Sequence, residues 1–326
     1  MNLSPKPKER GNVHSRFTAN GVLVLDKPKG FTSHDVVKAV KKKLGAAKVG
    51  HSGTLDPFAT GVLILLVNGA TKLAPFLSDQ DKRYRFTVSF GIETDTQDST
   101  GRVVAVHECG PLTAGEIRKA CAVFLGNIEQ RVPLFSAVRV EGQRLYQLAR
   151  RGVEVIPPCR TVKIKNLHLC DVSWPEVTFE VTCSKGTYVR SLGADLSCHL
   201  NCCGHVSKLR RLASGGFDLR QALTFEQFTE LVDKGSLEQN LIRPGQALST
   251  YPEIRVTSMA AQNIRQGGRL NPGEFIIPEC SLEGPYRVLD PDNNLVAMVS
   301  KASQRANDDH QEEITFKTLR VFGPIS

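Results

Sequence analysis

The stretch 51-HSGTLDPFATG-61 holds a single acid, Asp56, set between a leucine and a proline, with Gly53 and Gly61 on either side. Pro57 fixes its own φ and confines Asp56 to extended conformations, so the carboxylate is aimed by backbone and not by a flexible tether. The two glycines permit tight bends or the close approach of another backbone. On spacing alone the segment reads as a loop in which Asp56 is a turn or helix cap.

Working outward, GVLVLDKPKG (21–30) reads as a strand entering a Pro/Gly turn. Ser33 to Leu44 follows with Val36, Val37, Val40 and Leu44 on one helical face and Lys41 to Lys43 toward solvent. Past the loop, VLILLV (62–67) is a short unbroken apolar run, the pattern of a strand covered on both faces. In YRFTVSFGI (84–92), Tyr84, Phe86, Val88 and Phe90 alternate onto one face. Thr113 and Glu116 form a capping-box signature before a helix expected to end near Gly126. Strands are expected at 162–170 and 177–184, helices from Thr187 to Leu200 and after Thr224. A Pro/Gly-bearing stretch, PGQALSTYPEI (244–254), reads as a linker, followed by short strands around a DPDNN turn at 290–294. This pattern predicts an α+β fold: a mixed or antiparallel sheet flanked by helices over 21–247, and a small β-rich module over 248–326. Residues 1–20 are polar and basic, lack the apolar core of a signal peptide, and read as a flexible tail.

The chain of 326 residues has 42 Lys/Arg and 33 Asp/Glu, a net charge of +9. Eight of the basic and ten of the acidic residues lie from Leu248 onward, which leaves that part at −2 and the first 247 residues at +11. A basic body suits a polyanionic partner. No apolar run approaches the roughly 20 residues of a membrane-spanning helix, so no membrane association is expected. Nine cysteines, an odd number in a chain of this size, are expected as reduced thiols in a cytoplasm. Cys198, His199, Cys202, Cys203 and His205 crowd into eight residues, but no second CxxC closes a tetrahedron, so buried thiols are expected rather than a metal.

A second segment bears on Asp56. CSKGTYVRSLGADL (183–196) ends a strand, turns at Gly186 and opens a helix with Tyr188 and Arg190 at its start. An arginine there opposes the helix dipole and is better suited to serving a carboxylate or a phosphate. Paired with Asp56, it would orient that acid as a carboxylate nucleophile requires.

Taken in order, LDKPKGFTSHDVV, GHSGTLDPFATGVL, GATK (69–72), DKRYRF (81–86), PLFSAVRVEGQRLYQLARRG, CSKGTYVRSLGADL and GHVSKLRRLASG (204–215) resemble the TruB family of tRNA pseudouridine synthases. The likeness runs from about Gly21 to Phe217 without a gap. It implies a pseudouridine synthase catalytic domain and, for the C-terminal part, a PUA-like module. The implied activity converts uridine 55 of the tRNA T loop to pseudouridine: the N1–C1′ bond breaks, the uracil turns in the site and rejoins through C5. Nothing is oxidised or hydrolysed, so the resemblance implies no cofactor and no metal.

Residue by residue, Asp56 matches the family's catalytic aspartate, which attacks C1′ or removes the 2′ proton. Tyr84 matches the tyrosine that stacks on the target uracil, and Arg190 the arginine that pairs with the acid. Tyr188 and Leu209 match pocket residues, His51 the histidine that enters the T loop, and Lys27 sits in the KPxG turn that braces the loop. Arg210 and Arg211 read as phosphate contacts. The basic excursion at 130–152 resembles the family's RNA-gripping thumb, with Arg131, Arg139, Arg144, Arg150 and Arg151 as phosphate partners. Its presence disfavours a guide-RNA-dependent synthase, which lacks it. The partner expected is therefore the T arm of free tRNA, bound by a monomer without guide RNA or protein partner. A tRNA-folding chaperone is the alternative of another class.

Overall fold

Thr32 accepts from the Asp35 amide while Asp35 accepts from that of Thr32, a capping box that starts α1 (Ser33–Leu44), and Gly45 stops it in the left-handed region. This helix lies between β1 (Gly21–Lys27) and the pair β2 (Val49–His51) and β3 (Thr60–Val67). In the computed structural model, residues 17–270, 275–276, 284–304 and 313–323 are described. The tail reading for 1–20 therefore falls mostly outside them.

From β3 the chain passes through α2 (Ala74–Ser78) to β4 (Lys82–Phe90), the hairpin β5 (Ile92–Thr94) and β6 (Val103–Val106), α3 (Ala114–Val123) and β7 (Gly126–Arg131). An excursion holds β8 (Arg139–Val140), β9 (Gln143–Arg144) and α4 (Leu145–Arg150). The chain returns through β10 (Cys159–Ser173), β11 (Glu176–Cys183), α5 (Val189–His199), β12 (Gly204–Ser214), β13 (Phe217–Asp218), α6 (Phe225–Asp233) and α7 (Pro244–Ala247). It ends in β14 (Glu253–Val256), α8 (Ser258–Arg265), β15 (Phe275–Ile276), β16 (Pro285–Leu289), β17 (Leu295–Gln304) and β18 (Glu313–Val321).

The main sheet runs β1-β3-β12-β4-β11-β10-β7, with β2 joined to β3 and β13 to β12. Its pairs are antiparallel except β3–β12, which is parallel, so the sheet is mixed. A second sheet runs β15-β14-β16-β17-β18. The two faces of β3 explain its unbroken apolar run. Leu63, Leu65 and Val67 pack with Val36, Val40 and Phe228 of α1 and α6, whereas Val62, Ile64 and Leu66 pack with Leu289, Leu295, Met298 and Phe322 of the C-terminal part. The second sheet thus shares a core with the first. Ala247 and Leu248, in the stretch read as a linker, are buried in that shared core and do not form a loose connection. On the other side of the main sheet, Tyr84, Phe86 and Val88 pack with Ile117 of α3 and Leu192 of α5, and Phe86 stacks on Phe179 across the strand pair at 5.2 Å.

Three expectations need correcting. The helix after Thr113 stops at Val123, and Gly126, with positive φ, begins β7. Gln130 and Arg131 are sheet residues paired with Arg160 and Cys159, so the excursion occupies 132–158 rather than 130–152. Not all thiols are free: Cys109 and Cys202 form a disulfide. The cysteine–histidine cluster is also dispersed. Cys198 is exposed, Cys203 half-buried, and His205 bonds the Ile92 carbonyl at 2.8 Å.

Candidate active site

The Asp56 loop is anchored on each side of its acid. Leu55, Phe58 and Ala59 are buried in the core beneath it. Ser33, the first residue of α1, accepts from the Leu55 amide at 2.8 Å and donates to the Leu55 carbonyl at 3.2 Å. Two buried cations bind the loop's carbonyls. Lys27 donates to Phe31 at 2.7 Å, Pro28 at 2.9 Å and Pro57 at 3.4 Å. Arg211 donates to Val62 at 2.6 Å, Gly53 at 3.2 Å and Thr54 at 3.4 Å. The parallel pairing of β3 and β12 puts Arg211 opposite Gly61. A Cβ on Gly61 would lie 2.2 Å from the Arg211 carbonyl oxygen, and its φ is +105°, so both contact and conformation demand glycine.

From the other side comes Arg190, in the first turn of α5. Its Nε donates to Asp56 Oδ2 at 2.9 Å and Nη2 to Oδ1 at 3.4 Å, the two-pronged geometry that fixes a carboxylate's orientation. The remaining donors reach the carbonyls of Thr96 at 2.7 Å and Phe135 at 3.0 Å, and Asp98 lies 3.7 Å from Nη1. The Arg190 side chain is 3% exposed and that of Asp56 33%, so the arginine is locked in while the acid faces open space.

That space is a cleft of about 840 Å³ lined by Asp56, Tyr84, Tyr188, Arg190 and Leu209, with Phe135, Ser136, Tyr146 and Arg150 of the excursion forming a further wall. Asp56, Tyr84, Tyr188, Arg190 and Leu209, all singled out in the sequence, therefore meet at one cavity, with Arg150 of the excursion beside them. Lys27 stands behind the loop. His51 ends β2 outside the cleft lining, its Nδ1 accepting from the Gly53 amide at 3.3 Å. Arg210 also lies outside the lining and pairs with Asp26 at 2.6 Å. Arg211 cannot serve as a phosphate contact: it is 2% exposed and its donors are taken up by the loop.

Residues 41–189 match the model for the N-terminal domain of TruB family pseudouridylate synthases, and 190–248 that for the tRNA pseudouridylate synthase B C-terminal domain. A protein from Syntrophobacter fumaroxidans named tRNA pseudouridine synthase B is 43% identical over 86% of this chain and 92% of its own length. The chain belongs to the TruB family. A relative of the same name from Syntrophotalea carbinolica is 38% identical over 93% of this chain and 98% of its own. Among solved structures, the crystal structure of a Cbf5-Nop10-Gar1 complex contains a chain that superposes with a TM-score of 0.73 at 25% identity, over 97% of this chain and 88% of that one.

Burial tunes the ionisable groups of this TruB-family site. It lowers Lys27 to about 8, against the attraction of Asp56 and with added repulsion from Arg211. Burial and then the Arg211 charge lower His51, which favours a neutral imidazole. Tyr84 is pushed up by burial, so it stays a phenol. The sequence reading missed three supporting groups. Asp98 is buried beside Arg190 and accepts from Thr96 Oγ1 and from the amide and hydroxyl of Thr100. Gln130, fully buried on β7, brackets the Tyr188 backbone with bonds of 2.7 and 3.0 Å, fixing the start of α5. Arg211 is the third. Among the described residues, no three His, Cys, Asp or Glu side chains group as metal ligands would, and no helix is long and apolar enough to cross a membrane.

Proposed function

We propose that this chain is a tRNA pseudouridine synthase that isomerises uridine 55 in the T loop, with Asp56 as the catalytic residue. The observation that carries the reading is the Asp56 carboxylate, oriented by Arg190 at 2.9 Å on the floor of a cleft that aromatic residues line. A uridine inside a folded T loop must be extruded before C1′ or C5 can be reached, at a cost of a few kcal/mol. Tyr84 and Tyr188 offer ring faces to the extruded uracil, and base–aromatic stacking contributes about 1–3 kcal/mol per base. Leu209 closes the apolar side, and the neutral ring of His51 fills the gap left in the loop.

Asp56 acts at the ribose, as nucleophile at C1′ or as base for the 2′ proton, and the uracil freed from C1′ turns and bonds through C5. Arg190 keeps the acid's two oxygens aimed through both steps. Arg139, Arg144, Arg150 and Arg151 are exposed on the excursion, and as the thumb they grip the T-arm phosphates; each phosphate neutralised adds to the salt dependence of binding. The second sheet, as a PUA-like module, plays the smaller part in binding. The enzyme acts on free tRNA in the cytoplasm as a monomer, without guide RNA, protein partner or cofactor. The names of the TruB relatives support the tRNA substrate.

The test is tritium release from a tRNA transcript labelled at C5 of uridine. The wild-type protein should release tritium from one uridine per tRNA, and Asp56→Asn should reduce this to background. Release that survives the substitution would overturn the mechanism, and binding with tRNA refolding but no release would identify a chaperone. A chelator should leave the rate unchanged.

A further inference from the structure

Among the described Phe, Tyr and Trp side chains, Phe31 is the only one that is mostly exposed, at 51%. An exposed benzyl group forgoes the transfer free energy that a buried one gains, and this one is held in place. The buried Lys27 ammonium that binds the Phe31 carbonyl at 2.7 Å also binds that of Pro57 at 3.4 Å, the residue after Asp56. The Gly30 amide donates to the same Pro57 carbonyl at 2.8 Å. The next residue, Thr32, caps α1 and lines the cleft beside Asp56 and Pro57. The ring is thus carried on a rigid turn tied directly to the Asp56 loop, at the cleft rim. Lys29, His34 and Lys38, close to it in the chain, are exposed, while Asp35 is occupied by the capping box. An exposed ring among cations beside a nucleotide-sized cleft is the combination that binds single-stranded nucleic acid.

We propose that Phe31 is a stacking platform for the nucleobase of the substrate strand that neighbours the one taken into the cleft. The ring meets the face of that base, and Lys29 meets the phosphate between the two nucleotides. This rests on the proposed action on RNA and adds to it a second base-binding position outside the reacting pocket.

The test uses the full chain and tRNA carrying 2-aminopurine at positions next to the target uridine. In the Asp56→Asn background, which holds substrate without turnover, binding should quench the probe through Phe31. Phe31→Ala should abolish the quench and weaken binding about tenfold. Phe31→Leu, apolar but without a π face, should behave like alanine, and Phe31→Trp should bind at least as tightly as wild type. With Asp56 intact, Phe31→Ala should raise KM far more than it lowers kcat, and its melting temperature should match wild type because the ring is exposed. Alanine binding within twofold of wild type would overturn the proposal, as would leucine restoring full affinity, which would indicate a plain apolar contact of the kind a protein partner makes. The two readings fail separately. If no tRNA is isomerised but the Phe31-dependent quench persists, the platform stands and the isomerase reading falls. If turnover is intact and Phe31→Ala is silent, only the platform falls.

Discussion

Gly61→Ala is the most direct probe of how the Asp56 loop is built. The new Cβ would lie 2.2 Å from the Arg211 carbonyl oxygen, 2.7 Å from its amide nitrogen and 2.9 Å from its carbonyl carbon. All three are backbone atoms in a paired strand, so no side chain can swing away. Relief requires β3 and β12 to part by about 1 Å, enough to take a backbone hydrogen bond beyond its working range. Overpacking of this kind costs about 1–3 kcal/mol. Holding alanine at φ +105° adds about 1–3 kcal/mol, for a sum of about 2–6 kcal/mol against a typical domain stability of about 5–15 kcal/mol. The single tryptophan, Trp174, stacks on Phe90 in the same sheet and reports unfolding in urea. The variant should lose at least about 2 kcal/mol on that scale. Under conditions where it is fully folded it should also turn over more slowly, because Arg211 can no longer hold Gly53 and Thr54. A variant within about 0.5 kcal/mol of wild type with full turnover would show that the strands do not approach as described.

Two further substitutions test the cations around the loop. Folding lowers Lys27 from 10.5 to about 8, so between those values the unfolded chain holds a proton that the folded chain has released. The Lys27 contribution to stability should therefore rise with pH across roughly pH 8–10.5, by at most about 3 kcal/mol. Burial lowers Lys82 to about 8 as well, so Lys27→Met should lose only the Lys27 share of that rise, seen as a stability difference from wild type that grows from about pH 8 to 10.5 in urea unfolding; a difference that does not change with pH would refute the assignment. Arg190→Lys replaces four directed contacts, to both Asp56 oxygens, Thr96 and Phe135, with an ammonium that cannot span them. Single-turnover rates should fall at least about 100-fold, the loss of roughly 2.7 kcal/mol of transition-state stabilisation, while filter binding of tRNA changes only a few-fold; unchanged turnover would refute the orienting role.

Local pattern revealed those elements whose surroundings are simple. The apolar face of Val36, Val37, Val40 and Leu44 marks the span of α1, and the six apolar residues from Val62 report a strand covered on both sides. Arg190 stood out because an arginine at a helix start lacks a local purpose, whereas Asp56 read as a turn cap on spacing alone and gained its role from the ordered motifs of the family likeness. The run KLRRL concealed β12, since register shifts at Val206/Lys208 and Arg211/Ala213 break the alternation that marks a strand. The same shifts hid Arg211, which looks like a surface cation in sequence and is buried because a loop more than 150 residues upstream needs its donors. Gln130 and Asp98 were invisible for a related reason: their partners, Tyr188 and Arg190, are distant in the chain.

Those separations also bear on synthesis. Asp56 is joined to Arg190 across 134 residues, and Gly53 to Arg211 across 158. Closing such long loops is slow compared with forming local turns. While the chain emerges N-terminus first, the Asp56 segment is held by Lys27, Gly30 and Ser33 alone among the groups described above, and both pincers of the site arrive after β11 has been made. A chain interrupted anywhere before about residue 211 would carry the acid without its orientation, so the chemistry is withheld until most of the protein exists.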